Sequence, residues 1–111
     1  MEAVFKALAD RSRRQLLDLL FRRSGRTLND LCGHLAMSRQ AVTKHLLLLE
    51  KASLVATVWQ GREKLHYLNP VPIYEIYDRW INKYDRHRVQ ALGDLKKTLE
   101  QKKKGKGNRH G

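Results

Sequence analysis

Four side chains within residues 38–49 carry the chemistry of this chain: Arg39, Gln40, Thr43 and Lys44. Arginine presents a planar fork of donors that fits the O6 and N7 edge of guanine, and glutamine pairs bidentately with adenine. Threonine and lysine suit base edges or phosphates. Ala41, Val42, Leu46 and Leu49 recur at helical spacing, which turns them to one side and leaves the four polar residues on the other. Ser38 stands where an N-cap is needed, with a hydroxyl able to accept from the free N–H groups of the first turn. Such a helix docks by one face and offers the other to bases. Taken alone, it reads first as an ordinary amphipathic helix whose polar side meets only water, and its neighbours reverse that reading.

Other chemistries find no support. Cys32 is the single cysteine, and no His-Asn or His-Asp set accompanies it. No glycine-rich phosphate loop precedes a helix, and Asp10, Asp18, Asp30, Asp78, Asp85 and Asp94 fall on helix surfaces or caps without pairing. An enzyme is not expected.

The elements that must position the four side chains follow from periodicity. Residues 27–35 hold Leu28, Leu31 and Leu35 at steps of three and four, and open with Thr27-Leu28-Asn29-Asp30, a capping box with Asp in the Glu place. Only Ala36-Met37 separates this helix from Ser38, so the two make a helix-turn-helix, with the reading residues at the start of its second helix. Upstream, Val4, Phe5 and Leu8 mark a helix ending near Asp10, and Leu16, Leu17, Leu19 and Leu20 a second one starting near Ser12. Downstream, residues 54–59 and 64–68 are strands around a turn at Gln60-Gly61-Arg62-Glu63. A hairpin placed directly behind a recognition helix, with Arg62 and Lys64 near its tip, is a wing suited to the sugar-phosphate backbone or minor groove. Its plainer role is to cover the core edge. The fold is thus mainly α with a small β-hairpin, a winged helix-turn-helix in the order α-α-α-α-β-β-α. Lys44, His45, Arg62 and Lys64, with Ser38 at the cap and Arg11 and Arg13 nearby, are expected on phosphates. His45 has a second option, a hydrogen bond within the domain.

Pro70 and Pro72 set up a last helix. Ile73, Ile76, Tyr77, Trp80, Ile81 and Tyr84 form its apolar stripe, which resumes at Ala91, Leu92, Leu95 and Leu99. One helix over residues 73–99 extends on the order of 40 Å, more than a domain of this size is wide. The stripe is expected to meet a second copy and so to present two recognition helices to major grooves roughly 34 Å apart. The alternative puts Trp80 and the tyrosines in the monomer core, with the helix fraying after Arg88. Residues 1–100 form one domain, and residues 101–111, without an apolar side chain, read as a disordered basic tail that attracts phosphates or only solubilises.

The 111 residues carry 23 Lys plus Arg against 11 Asp plus Glu, a formal net charge of +12. Double-stranded DNA is the natural partner, because the cations are spread over several helices rather than gathered in a membrane anchor. The start Met1-Glu2-Ala3-Val4-Phe5 is not a secretory signal, and no apolar run reaches the roughly 20 residues of a spanning helix. A cytoplasmic, nucleoid-associated protein without a membrane partner is expected.

Residues 5–17, the Ala41-Val42-Thr43-Lys44-His45-Leu46 helix, the Gly61-Arg62 wing and the Leu68-Asn69-Pro70 exit together resemble the ArsR family of bacterial winged-helix repressors. The resemblance covers nearly the whole chain and implies a homodimeric transcriptional regulator, most simply a repressor on an inverted-repeat operator. It also implies that the first and last helices form the dimer contact, adding Val4, Phe5 and Leu8 to the stripe above. In that family a bound signal lowers affinity for DNA, but no residue here marks an inducer. Many members sense metals. The positions of one sensor type fall at Thr27 and Asn29, and those of the other at Asp85 and His87 followed by Thr98 and Gln101, so neither ligand set is complete and no metal or other cofactor is expected. Two departures stand out: Leu47 where the helix is commonly polar, and Ser53 where glycine often ends it. The competing function is a winged helix kept for contacts with protein or RNA, which has no need of the Arg39-Gln40-Thr43-Lys44 face.

Overall fold

The computed structural model describes the backbone of residues 1–82 and 86–110, and their side chains except at 86, 87, 89 and 103–110. The chain divides into two compact units, Met1–Glu75 and Ile76–Gly111.

The first unit begins with α1 (Glu2–Leu8), which turns Val4 and Ala7 into the core. Asp10 is not the end of that helix but the cap of the next. Its Oδ1 accepts from the Ser12 and Arg13 N–H groups at 2.8 and 3.1 Å, and α2 (Arg11–Arg22) starts one residue earlier than its apolar pattern predicts. Leu16, Leu17, Leu19 and Leu20 are all buried. Helix α3 (Leu28–Gly33) is capped by Thr27, whose hydroxyl accepts from the Asp30 N–H at 3.1 Å. The other half of the expected capping box is diverted, because the Asp30 carboxylate accepts from Arg23 and Arg26, each at 2.9 Å. Helix α3 also stops two residues short of Leu35, in a tight turn at His34.

Helix α4 (Arg39–Lys51) buries Val42, Leu46 and Leu49 against α1, α2 and α3. It ends in a Schellman motif: the Leu54 N–H donates to the Leu49 carbonyl and the Ser53 N–H to Glu50, both at 2.9 Å. Ser53 occupies the left-handed position at φ 60°, a conformation that glycine adopts without penalty. The Asn69 amide holds it there by donating to the Ser53 carbonyl at 2.7 Å.

Strands β1 (Val55–Gln60) and β2 (Glu63–Leu68) pair antiparallel from Val55 with Leu68 to Gln60 with Glu63. The turn is therefore only Gly61-Arg62. Gly61 at φ 63° supplies the positive angle that the first position of a type II′ turn requires, which is why Gln60 and Glu63, expected in the turn, instead extend the ladder. Arg26 bridges to His66 of β2: the His66 N–H and Nδ1 both donate to the Arg26 carbonyl, at 2.8 and 2.9 Å. Arg26 and His66 are the buried polar residues of the core, and the Arg26 guanidinium leads out to Asp30. This network ties the loop before α3 to the wing.

The single long helix predicted over residues 73–99 is not formed. Helix α5 (Val71–Trp80) ends at Trp80, and the Ile81 and Asn82 N–H groups both turn back to the Tyr77 carbonyl. The Asn82 amide donates to the Asp78 carboxylate at 2.9 Å across this turn. The break is invisible to periodicity because the stripe resumes in phase. The second unit holds α6 (Arg86–His110), whose backbone takes in residues 101–110, expected to form a disordered tail.

Ser53→Gly is expected to raise stability by up to about 1 kcal/mol by relieving the left-handed serine, whereas Leu49→Ala lowers it by about 2–5 kcal/mol. Denaturant titration distinguishes the two. Both Asp10 and Asp30 are held below the ordinary aspartate value of 3.8. For Asp10 the chief cause is the hydrogen bond from the Arg13 N–H, and for Asp30 the side-chain hydrogen bond from Arg26. A folded-state value below the unfolded one gives stability that is complete above 3.8 and lost as pH falls through the lowered values. Thermal midpoints recorded down through that range should fall less steeply in Asp10→Asn and Asp30→Asn than in the parent.

Candidate nucleic-acid interface

Ser38 fixes the start of α4, its Oγ accepting from the Ala41 N–H at 3.1 Å. Because Val42, Leu46 and Leu49 are held inside, at 0, 4 and 0% exposure, the helix can present only one face outward. That face carries Arg39, Gln40, Thr43 and Lys44, all exposed, and continues to Leu47. The side chains differ in how free they are. The Arg39 Nη1 donates to the Asn29 Oδ1 of α3. The Thr43 hydroxyl donates to the Arg39 carbonyl at 2.9 Å, so toward a base it offers its oxygen lone pair and its methyl group rather than a proton. Gln40 and Lys44 project without a side-chain partner among the described residues.

His45 is half-buried and takes the intramolecular option. Arg13 Nη1 lies 3.3 Å from its Nδ1, and since a guanidinium only donates, Nδ1 accepts and the ring proton sits on Nε2. Arg13 itself is committed to structure. Its Nε donates to the Ala7 carbonyl at 2.8 Å and its Nη2 to Lys6 at 3.0 Å, while Arg14 donates to Leu8 at 2.7 Å. These carbonyls belong to the last turn of α1, so the Arg13 guanidinium ties the end of α1 to α2 and, through His45, to α4. Arg11 stays exposed.

The wing divides its two cations. Arg62 is exposed at the turn, whereas Lys64 Nζ pairs with Glu50 Oε1 of α4 at 3.4 Å. The ion pair links β2 to the last turn of α4. Between α3, α4 and the wing lies a groove of about 330 Å³ whose walls include Arg39, Thr43, Leu47, Trp59 and Arg62. Trp59, opposite Lys64 in the ladder, is 68% exposed. Sequence reasoning missed Asn29, Glu50 and Trp59. A lone glutamate in the last turn of a leucine-rich helix, within a strongly basic chain, was the available signal for Glu50.

The residues expected at a dimer contact are distributed as follows. Val4 is buried within the first unit, Phe5 is 40% exposed and Leu8 is half-buried. On α5, Ile73, Tyr77 and Trp80 are exposed and Ile76 is half-buried; Ile81, just after the helix, is exposed, and Tyr84 lies outside the described residues. On α6, Leu92, Leu95 and Leu99 are exposed along one side. Among the described residues there is no group of three or more metal-ligating side chains; Asp85 and the His87 side chain lie outside them. No helix among them is long and apolar enough to cross a membrane.

A sequence profile of the bacterial regulatory protein, arsR family, matches residues 10–57, which span α2 through the start of β1. The uncharacterized HTH-type transcriptional regulator YuzN of Bacillus subtilis (strain 168) is 37% identical, over 72% of this chain and 94% of its own. The transcriptional repressor SdpR of the same organism is 31% identical, over 74% of this chain and 90% of its own. Among solved structures, the ArsR-like transcriptional regulator from Rhodococcus sp. RHA1 superposes with a TM-score of 0.68 at 29% identity, covering 90% of each chain. With the helix-turn-helix and wing so arranged, the chain belongs to the arsR family of bacterial transcriptional regulators.

Proposed function

We propose that this regulator acts in the cytoplasm as a homodimeric repressor that binds an inverted-repeat operator, by binding alone and without catalysis. The observation that carries the reading is the outward face of α4, where Gln40 and Lys44 stand unpaired beside Arg39 and Thr43 while the opposite face is fully used in packing. Arg39, Gln40 and Thr43 read base edges. Lys44, Arg62 and the His45 Nε2–H take phosphates, with Ser38 holding the helix terminus against the backbone. Lys64 acts indirectly through Glu50, setting where Arg62 meets DNA. A net charge of +12 supplies long-range attraction to the duplex. Repression is supported by the name of the relative SdpR, and pairing by the apolar side chains that α5 and α6 leave exposed. The inverted repeat follows from two-fold pairing, since an isologous dimer presents identical helices to symmetric half-sites.

Sequencing of genomic fragments retained by the full chain is expected to return an inverted repeat, and sedimentation a dimer. Fragments without shared sequence, or a single-copy protein at working concentration, would overturn the reading. Gln40→Ala is expected to cost roughly 1–3 kcal/mol on the selected site and to relax preference at one base pair of each half-site. Lys44→Ala and Arg62→Ala are expected to weaken selected and random duplexes alike and to lower the slope of log affinity against log salt by about one for each phosphate no longer neutralised. In a double-mutant cycle on DNA affinity, Lys64→Ala and Glu50→Ala are expected to couple by about 0.2–1 kcal/mol, and the Lys64→Ala loss is expected to shrink in the Arg62→Ala background.

A further inference from the structure

The hydrogen bond from Arg39 to Asn29 joins the two helices of the motif at the entrance of the groove, and neither partner is buried. Arg39 is the first residue of α4, preceded by the extended Ser38 rather than by a helical turn against which its long side chain would lie. Left alone, an exposed arginine samples many rotamers and loses that freedom on binding. Asn29, on the first turn of α3, holds one end of the guanidinium. Since arginine has no acceptor, the amide atom facing it is the oxygen. Nη1 is the atom engaged, so the edge formed by Nε and Nη2 stays open, and its two parallel donors are what guanine O6 and N7 accept. The Thr43 hydroxyl is bonded to the Arg39 carbonyl and does not compete for the same guanidinium.

We propose that Asn29 is a positioning residue for specificity: it fixes the Arg39 guanidinium so that its free edge faces guanine, without itself reading a base. This rests on the reading that Arg39 contacts a base.

The test selects bound duplexes from a randomised pool with the full chain and with Arg39→Ala, Asn29→Ala, Asn29→Asp and Asn29→Ala/Arg39→Ala, then measures each affinity by fluorescence anisotropy against a random duplex. At the base pair where Arg39→Ala abolishes the guanine preference, Asn29→Ala is expected to lose roughly three- to tenfold of it. Asn29→Asp keeps an acceptor and is expected to retain the preference while weakening all duplexes alike through its added charge. In the Arg39→Ala background, Asn29→Ala is expected to remove nothing further. An equal loss on selected and random duplexes for Asn29→Ala, or an undiminished effect without Arg39, would make Asn29 a backbone contact and overturn the proposal. If Arg39→Ala changes the preference and Asn29→Ala does not, the positioning role alone fails. If Arg39→Ala leaves every base preference intact, base reading by Arg39 and its positioning fall together.

Discussion

Val42, Leu46 and Leu49 have to be kept dry, and meeting that requirement determines the orientation of everything α4 presents to solvent. Once they pack against α1, α2 and α3, a rotation of the helix exposes leucine and buries Arg39 or Lys44. Either change costs more than the face gains from moving, because burying an unpaired charge is far more expensive than adjusting a surface side chain. The Ser38 cap sets the start of the helix and the Schellman turn at Ser53 sets its end. The reading face is therefore a consequence of the core, and its position relative to the wing follows from the chain reversal that begins at Leu54.

The basic character of the chain divides between structure and recognition. Arg13 and Arg14 close the carbonyl end of α1, Arg23 and Arg26 converge on Asp30, and Lys64 is held by Glu50. These cations bond the carbonyls at the end of α1 and the half-exposed carboxylates of Asp30 and Glu50. Arg39 and Arg62 line the groove, and Lys44 is exposed on the same outward face of α4. The high net charge thus draws the polyanion in, and a few side chains on α4 and the wing determine how it is held.

Most of the fold was legible because the local signals are strong here: four leucines in α2, the α4 stripe and the β-branched and aromatic residues Val55, Thr57, Val58 and Trp59 of β1. The cap residues Thr27, Ser38 and Asp10 were readable as chemistry, although Asp10 was placed at the end of a helix and not the start of the next. What sequence pattern could not reveal were contacts between elements distant along the chain. Arg13 meeting His45, Arg26 meeting His66 and Lys64 meeting Glu50 all depend on how helices cross, which no local spacing encodes. The end of α5 at Trp80 was hidden because the apolar stripe continues in register beyond Asn82, so periodicity joined two helices into one. At the site, the identity of the outward residues was legible, while the degree to which each is tied down, Arg39 by Asn29 and Thr43 by a backbone carbonyl, was not.

Duplex DNA is expected on the outward face of α4 and the tip of the wing. Backbone amide chemical shifts of the labelled full chain, followed during titration with a duplex carrying the selected site, test it most directly. The account predicts that the largest changes fall on residues 38–44 and 61–62 and that the opposite surface around Phe21 and Arg22 of α2 stays still. Changes concentrated on α2, with residues 38–44 unmoved at saturation, would contradict it.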